Sequence, residues 1–169
     1  MADHQPDLVD DALRALGATH TDLRDAHKRW QARVHSRTFP GGERRYRVAL
    51  GAPESVAERT IGDLRCRVLR WPLRLWPELR FEVVSAASGG AVWNEWLVRA
   101  EGVAAPELRS VADLTPWAAT VDEVARAFPP AQVLPPDAPS RARLRIVDPR
   151  SGAPLVAHFT WGLLQYVTS

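Results

Sequence analysis

Three side chains of this 169-residue chain stand where acid–base chemistry could be run: Glu82, Glu95 and His158. Residues 79–85 and 91–99 alternate in polarity around Ser88-Gly89-Gly90, as the two arms of a β-hairpin do. Pairing Ala87 with Gly90 sets Phe81 opposite Trp96, Leu79 opposite Val98 and Glu82 opposite Glu95. That register gathers the apolar pairs on one face. The other face then carries two opposed carboxylates beside Arg80 and Trp93. Two such groups cannot both ionise easily, so one retains its proton and can serve as a general acid. The plainer outcome is a solvated polar face on which Arg80 neutralises one Glu, and a one-residue slip would part the two. His158 lies in the run LVAHFTWGLLQYV, sharing a strand face with Val156 and Thr160. It could be a general base oriented by Glu95 or Asp122, although a lone strand His is more often a packed core or edge residue.

Ligand-binding candidates come from the aromatic residues. Seven Trp, at 30, 71, 76, 93, 96, 117 and 161, require a large aromatic core or an aromatic-lined pocket. Trp71, Trp76 and Trp93, with Arg80, are the expected ligand contacts. In WPLRLWP, residues 71–77, each Trp precedes a Pro and is biased to extended backbone. Pro cannot donate to a sheet ladder, so this stretch reads as an edge strand or a bulged crossover.

Other chemistries find little support. The histidines (4, 20, 27, 35 and 158) include no i, i+4 pair, and one cysteine cannot build a zinc cluster, so no metal site is expected. Glycine-rich phosphate loops and a G-x-S-x-G elbow are both missing, so no cofactor is expected either. Cys66 reads as inert filler in a reducing compartment. Arginine ladders at 45/47, 65/67 and 141/143/145 could form an anion-binding stripe, with Trp71 and Trp76 stacking on bases. However, 21 of the 22 basic residues are Arg, a coding bias of the actinobacterial kind. Any solvent-facing strand of this chain would therefore look like such a ladder.

The elements that must position these residues read as follows. Helices are expected over 6–16 and 22–37, ended by Gly17 and by Pro40-Gly41-Gly42. The alternation of Tyr46, Val48 and Leu50 predicts a strand, Ser55-x-x-Glu58 a short capped helix, and Leu64, Cys66 and Val68 another strand. Thr115-Pro116 predicts the start of a late helix with a buried stripe of Trp117, Val121, Val124 and Phe128. Residues 129–139 hold five Pro and predict a stiff loop. A last hairpin joins 141–147 to an apolar run over 155–167. That run is expected near the middle of the sheet and covered on both faces, with His158 looking into any pocket.

Together these predict an α+β fold: a curved, mostly antiparallel sheet of five to six strands packed against N-terminal helices and one late helix. The layout is of the general cystatin or NTF2-like kind, as an analogy of layout alone. One domain is expected over 1–169, with a helical segment at 1–38 docking through Leu23, Trp30 and Val34 onto a sheet-and-helix core at 43–169. A chain that is 46% hydrophobic and 25% charged can support such a core. No secretory leader or membrane span is read, which predicts a cytoplasmic protein. The function expected is a small-molecule-binding domain of bacterial specialised metabolism, with scope for cofactor-independent acid–base catalysis of the isomerase, cyclase or dehydratase type. The alternatives are a non-catalytic protein-interaction module using an exposed Trp-Pro edge, and a single-stranded nucleic-acid or anion binder. The partner is thus an apolar small molecule or a protein, with nucleic acid disfavoured.

Overall fold

The computed structural model describes residues 5–88 and 90–169. It is an α+β fold, but its strands form two four-stranded sheets rather than one sheet of five to six. Each sheet is an antiparallel meander. The first is β1 (Ser55–Ile61), β2 (Leu64–Pro72), β3 (Leu79–Ala86) and β4 (Val92–Arg99). The second is β5 (Gln132–Leu134), β6 (Arg141–Val147), β7 (Pro154–Thr160) and β8 (Leu163–Thr168). Helices α1 (Pro6–Leu16), α2 (His20–Val34) and α3 (Arg44–Leu50) precede the first sheet, and α4 (Val121–Ala127) precedes the second. Among the described residues no helix is long and apolar enough to cross a membrane.

Helices α1 and α2 form where their end signals place them. Gly17 adopts the left-handed backbone and stops α1, and Thr19 with Asp22 makes a reciprocal capping box for α2. Other local signals are overruled. Arg44–Leu50 is a helix, not a strand. Helical spacing brings Glu43 and Tyr46 to one side, where both are buried, while Val48 and Leu50 stay about half exposed. Ser55–Ile61 is a strand, not a capped helix, and all seven of its residues pair with residues 64–70 of β2. The late helix starts at Thr120, whose side chain caps Glu123, and not at Thr115. Trp117 precedes the helix with left-handed backbone, and its N–H donates to the Leu164 carbonyl, so it is no part of a helical stripe.

The apolar run over 155–167 is a hairpin, not one strand. Trp161-Gly162 turns β7 into β8 with φ of 52° and 81°. One face of this second sheet makes the main core. Val121, Val124 and Phe128 of the α4 segment pack there on Leu144, Ile146 and Phe159. Its other face carries Arg143, His158 and Tyr166 in register and is only partly buried.

The two sheets are tied at β4. The Leu97 N–H donates to the Trp161 carbonyl at 2.8 Å, and Arg99 bonds the buried Glu123 at 2.8 Å. Leu163 joins Leu79 and Leu97 in a small apolar cluster at the same junction.

Candidate functional site

The β3–β4 pairing decides which carboxylate enters a site. Next to the turn, whose Gly89 lies outside the described residues, Ser85 pairs with Val92, as the expected register requires. Val84 then pairs with Asn94, so Trp93 is an extra residue in β4. Every later pair shifts by one: Phe81 faces Leu97, Glu82 faces Trp96 and Val83 faces Glu95. A slip of one residue turns a side chain to the opposite face. Glu82 and Glu95 are therefore not opposed, and they lie on opposite faces of the sheet. Glu82 pairs with Arg70 at 2.8 Å, the two largely buried.

Glu95 lies on the face that α3 covers. There, Tyr46 of α3, Trp71 of β2 and Phe81 of β3 form a triangle of rings with centroids 5.7 to 6.3 Å apart. The Trp71 indole donates to the Gly51 carbonyl at 3.0 Å, fixing that ring against the end of α3. These rings wall a cavity of about 750 Å³. Leu97 continues the sheet side of the wall, Trp30 and Val34 of α2 form a second side, and Trp161 of the β7–β8 turn a third. Helix α2 has no fully buried residue; Trp30 is half buried and packs edge-on to Phe39 with centroids 6.0 Å apart. The expected docking through Leu23, Trp30 and Val34 is thus looser than a core contact, since Leu23 and Val34 remain exposed.

The polar part of the cavity wall is an ion pair. Arg45 bonds Glu95 at 3.2 Å and also bonds the Tyr46 hydroxyl, with its guanidinium 4.7 Å from the Tyr46 ring centroid. Burial pushes the Glu95 carboxyl above its ordinary range, and the charge and hydrogen bond of Arg45 offset only part of that. The Arg45 Nε is buried without a hydrogen-bond partner, the only such side-chain atom among the described residues. This wall can hold an apolar aromatic molecule and offer it polar contacts at one place.

Of the sequence candidates, Trp71 and Glu95 line this cavity and the others do not. Trp71 is buried in an interior strand, and Pro72 closes that strand at its last position, so this Trp-Pro pair is not an exposed edge. Trp76 is half buried, edge-on to Trp117 at 5.7 Å. Trp93 is the bulge residue and 42% exposed. Arg80 is bound by Glu54 and by the Pro77 and Leu79 carbonyls. His158 does not face the cavity. It lies on the second sheet, stacked on Tyr166 at 4.4 Å, with its Nε2 3.2 Å from the Thr168 hydroxyl. The space beside it is only about 20 Å³.

The arginine ladders do not merge into one surface. Arg45 and Arg47 are on α3, Arg65 and Arg67 pair with Glu58 and Glu43, and Arg141 pairs with Asp137. Arg143 and Arg145 bond the Pro135 carbonyl and the Gln132 side chain. Among the described residues no group of three or more His, Cys, Asp or Glu is placed to hold a metal ion.

The sequence marks Arg45 only as part of an arginine ladder, and it does not single out Tyr46, Phe81 or Trp161 as site residues. The legible signal was Trp161-Gly162, an aromatic at a turn between apolar runs.

No protein-family model matches the sequence, and no curated protein matches it. Among solved structures the chain is similar to one from Streptococcus mutans described as a "putative beta-lactamase inhibitor protein". The two share 12% identity over 78% of this chain and 85% of that one, with a TM-score of 0.32. A superposition that loose establishes neither a shared fold nor a shared function.

Proposed function

We propose that this chain binds an apolar, aromatic small molecule in the cavity between α2, α3 and the first sheet. The observation that carries the reading is the cavity itself: about 750 Å³, walled by Trp30, Tyr46, Trp71, Phe81 and Trp161 around one ion pair. That size and that mixture, mostly aromatic with a few polar groups, are those of ordinary ligand sites. The position of Trp71 favours a ligand over a protein partner, because its ring lines a concavity and is not displayed on a flat edge. Binding is also better supported than catalysis. Glu95 is the one expected acid–base residue at the cavity, and the group beside it is Arg45, which holds its proton too tightly to exchange it in catalysis.

The test uses 8-anilinonaphthalene-1-sulfonate, an aromatic probe, in equilibrium dialysis against the full chain. The reading expects saturable binding of one probe per chain and a rise in Tm with probe concentration. Saturating the folded state about a hundredfold above Kd adds about 2.7 kcal/mol of stability. Absence of saturable binding, or many weak sites per chain, would overturn it.

A further inference from the structure

Trp117 and Trp161 are the two non-glycine residues with left-handed backbone among those described, at φ 63° and 52°. For a bulky L-residue that conformation is disfavoured, because Cβ crowds the backbone carbonyl. Around Trp117 the fold supplies an offset. Its indole donates to Gln165 at 3.2 Å, and its ring packs edge-on against Trp76.

Trp161 has no comparable offset. Among the described residues its ring pairs with no other ring and its indole N–H makes no hydrogen bond. It occupies the first central position of a two-residue hairpin turn with both φ positive, where Asn-Gly is the favoured sequence. Gly162 has its own reason to be glycine: a Cβ there would lie 2.8 Å from the Leu97 carbonyl oxygen and 2.9 Å from the Trp96 Cβ. The turn is held through backbone atoms. The Trp161 N–H donates to Ser140 at 2.7 Å, its carbonyl accepts from Leu97 at 2.8 Å, and the Gly162 carbonyl accepts from Val121 at 3.1 Å. An asparagine would keep all three bonds in a better-suited backbone. What tryptophan adds is a half-buried indole on the cavity wall. Strain retained at an indole with no ring partner and no hydrogen bond points to function.

A second observation concerns the indole donors. Trp71 has committed its N–H to Gly51, whereas the indoles of Trp30 and Trp161 make no hydrogen bond and neither nitrogen is buried. The cavity's one carboxylate, Glu95, already faces Arg45. The fold thus leaves two indole donors unused on this wall, beside the Gln31 side chain and the second Glu95 oxygen.

We infer that Trp161 is a ligand-binding residue and that, with Trp30, it selects aromatic molecules carrying hydrogen-bond acceptors such as carbonyl, ether or sulfonate oxygens. The inference rests on the small-molecule reading of the same cavity. The experiment measures anilinonaphthalene sulfonate binding by dialysis, with Tm, for the wild type, Trp161→Asn and Trp161→Phe. For Trp161→Asn the expected result is a Tm unchanged or raised by up to about 4 °C, and an affinity lower by about tenfold or more. Trp161→Phe keeps a ring but no donor, and is expected to lose affinity by roughly three- to tenfold. Wild-type binding matched by Trp161→Asn would overturn the inference and leave the cavity reading standing. So would a Tm several degrees lower in Trp161→Asn, since the tryptophan would then be structural. Trp161→Phe binding as the wild type does would overturn the donor role. No saturable binding by the wild type would overturn the cavity reading itself.

Discussion

The two sheets have the same construction, four antiparallel strands in sequence order, yet one encloses a solid core and the other a cavity. The difference lies in the covering helix. Segment α4 delivers Val121, Val124 and Phe128 onto β6 and β7, and these meet Ala142, Leu144, Ile146, Ala157 and Phe159 with almost no exposed surface. Helix α3 has the same length but buries only Tyr46 against the first sheet, beside the polar Glu43. Glu43 is tied to Ser85 at 3.0 Å and to Arg67 at 3.1 Å, so that end of the sheet face is closed by polar contacts. The remainder of the face, around Trp71 and Phe81, is left to the loosely held α2. A sheet face covered by too few apolar side chains becomes a binding cavity if the helix beside it stands off.

The largest expected effect that sharpens this comparison is in the second sheet. Phe159 is 1% exposed at the centre of its core, so Phe159→Ala should cost about 3–5 kcal/mol. For a chain of this size that lowers Tm by roughly 8–15 °C in a thermal melt. Probe binding measured well below the new Tm should stay close to the wild-type value. A parallel loss of affinity would show that the two regions are not separable in this way.

A smaller effect is expected at the tie between the sheets. Burial opposes ionisation of Glu123, but the hydrogen bonds and charge of Arg99 and the bonds to Thr120 outweigh it and hold the carboxyl below its usual range. A group whose folded pKa is depressed adds stability above its unfolded pKa, about 4.3, and that stability is lost as pH falls through the folded value. Glu123→Gln should therefore cost roughly 2 kcal/mol at neutral pH. The gap between variant and wild type should narrow below about pH 4 in urea unfolding curves. A gap independent of pH would show that the carboxylate charge is not what joins the sheets.

How much of this was legible depends on what each segment buries. Strands β2, β3, β4 and β6 fall within a few residues of their sequence-read spans, and β6 is the plainest case, alternating buried Ala142, Leu144 and Ile146 with arginines that reach solvent. β1 was misread because all seven of its residues are exposed, so no alternation exists to read. α3 reads as a strand because Tyr46, Val48 and Leu50 recur at period two, whereas in the fold only Tyr46 of the three is buried. The site was half legible. Trp71 and Glu95 were chosen, but the carboxylate pair was lost to one bulged residue, Trp93, which no local pattern announces. Arg45 and Trp161 come from a helix and a turn far away in sequence, so only the tertiary fold could bring them to the same wall.

The central claim is that the unfinished side of the first sheet, and not the second sheet, takes a ligand. The most direct measurement is a crystal structure of the protein grown with anilinonaphthalene sulfonate. The account predicts the naphthalene ring inside the cavity against Trp161, with the sulfonate oxygens toward the Trp161 and Trp30 indoles. Probe density on the outer face of the second sheet, beside His158 and Tyr166, would contradict it. So would a cavity filled by α2 with no probe inside.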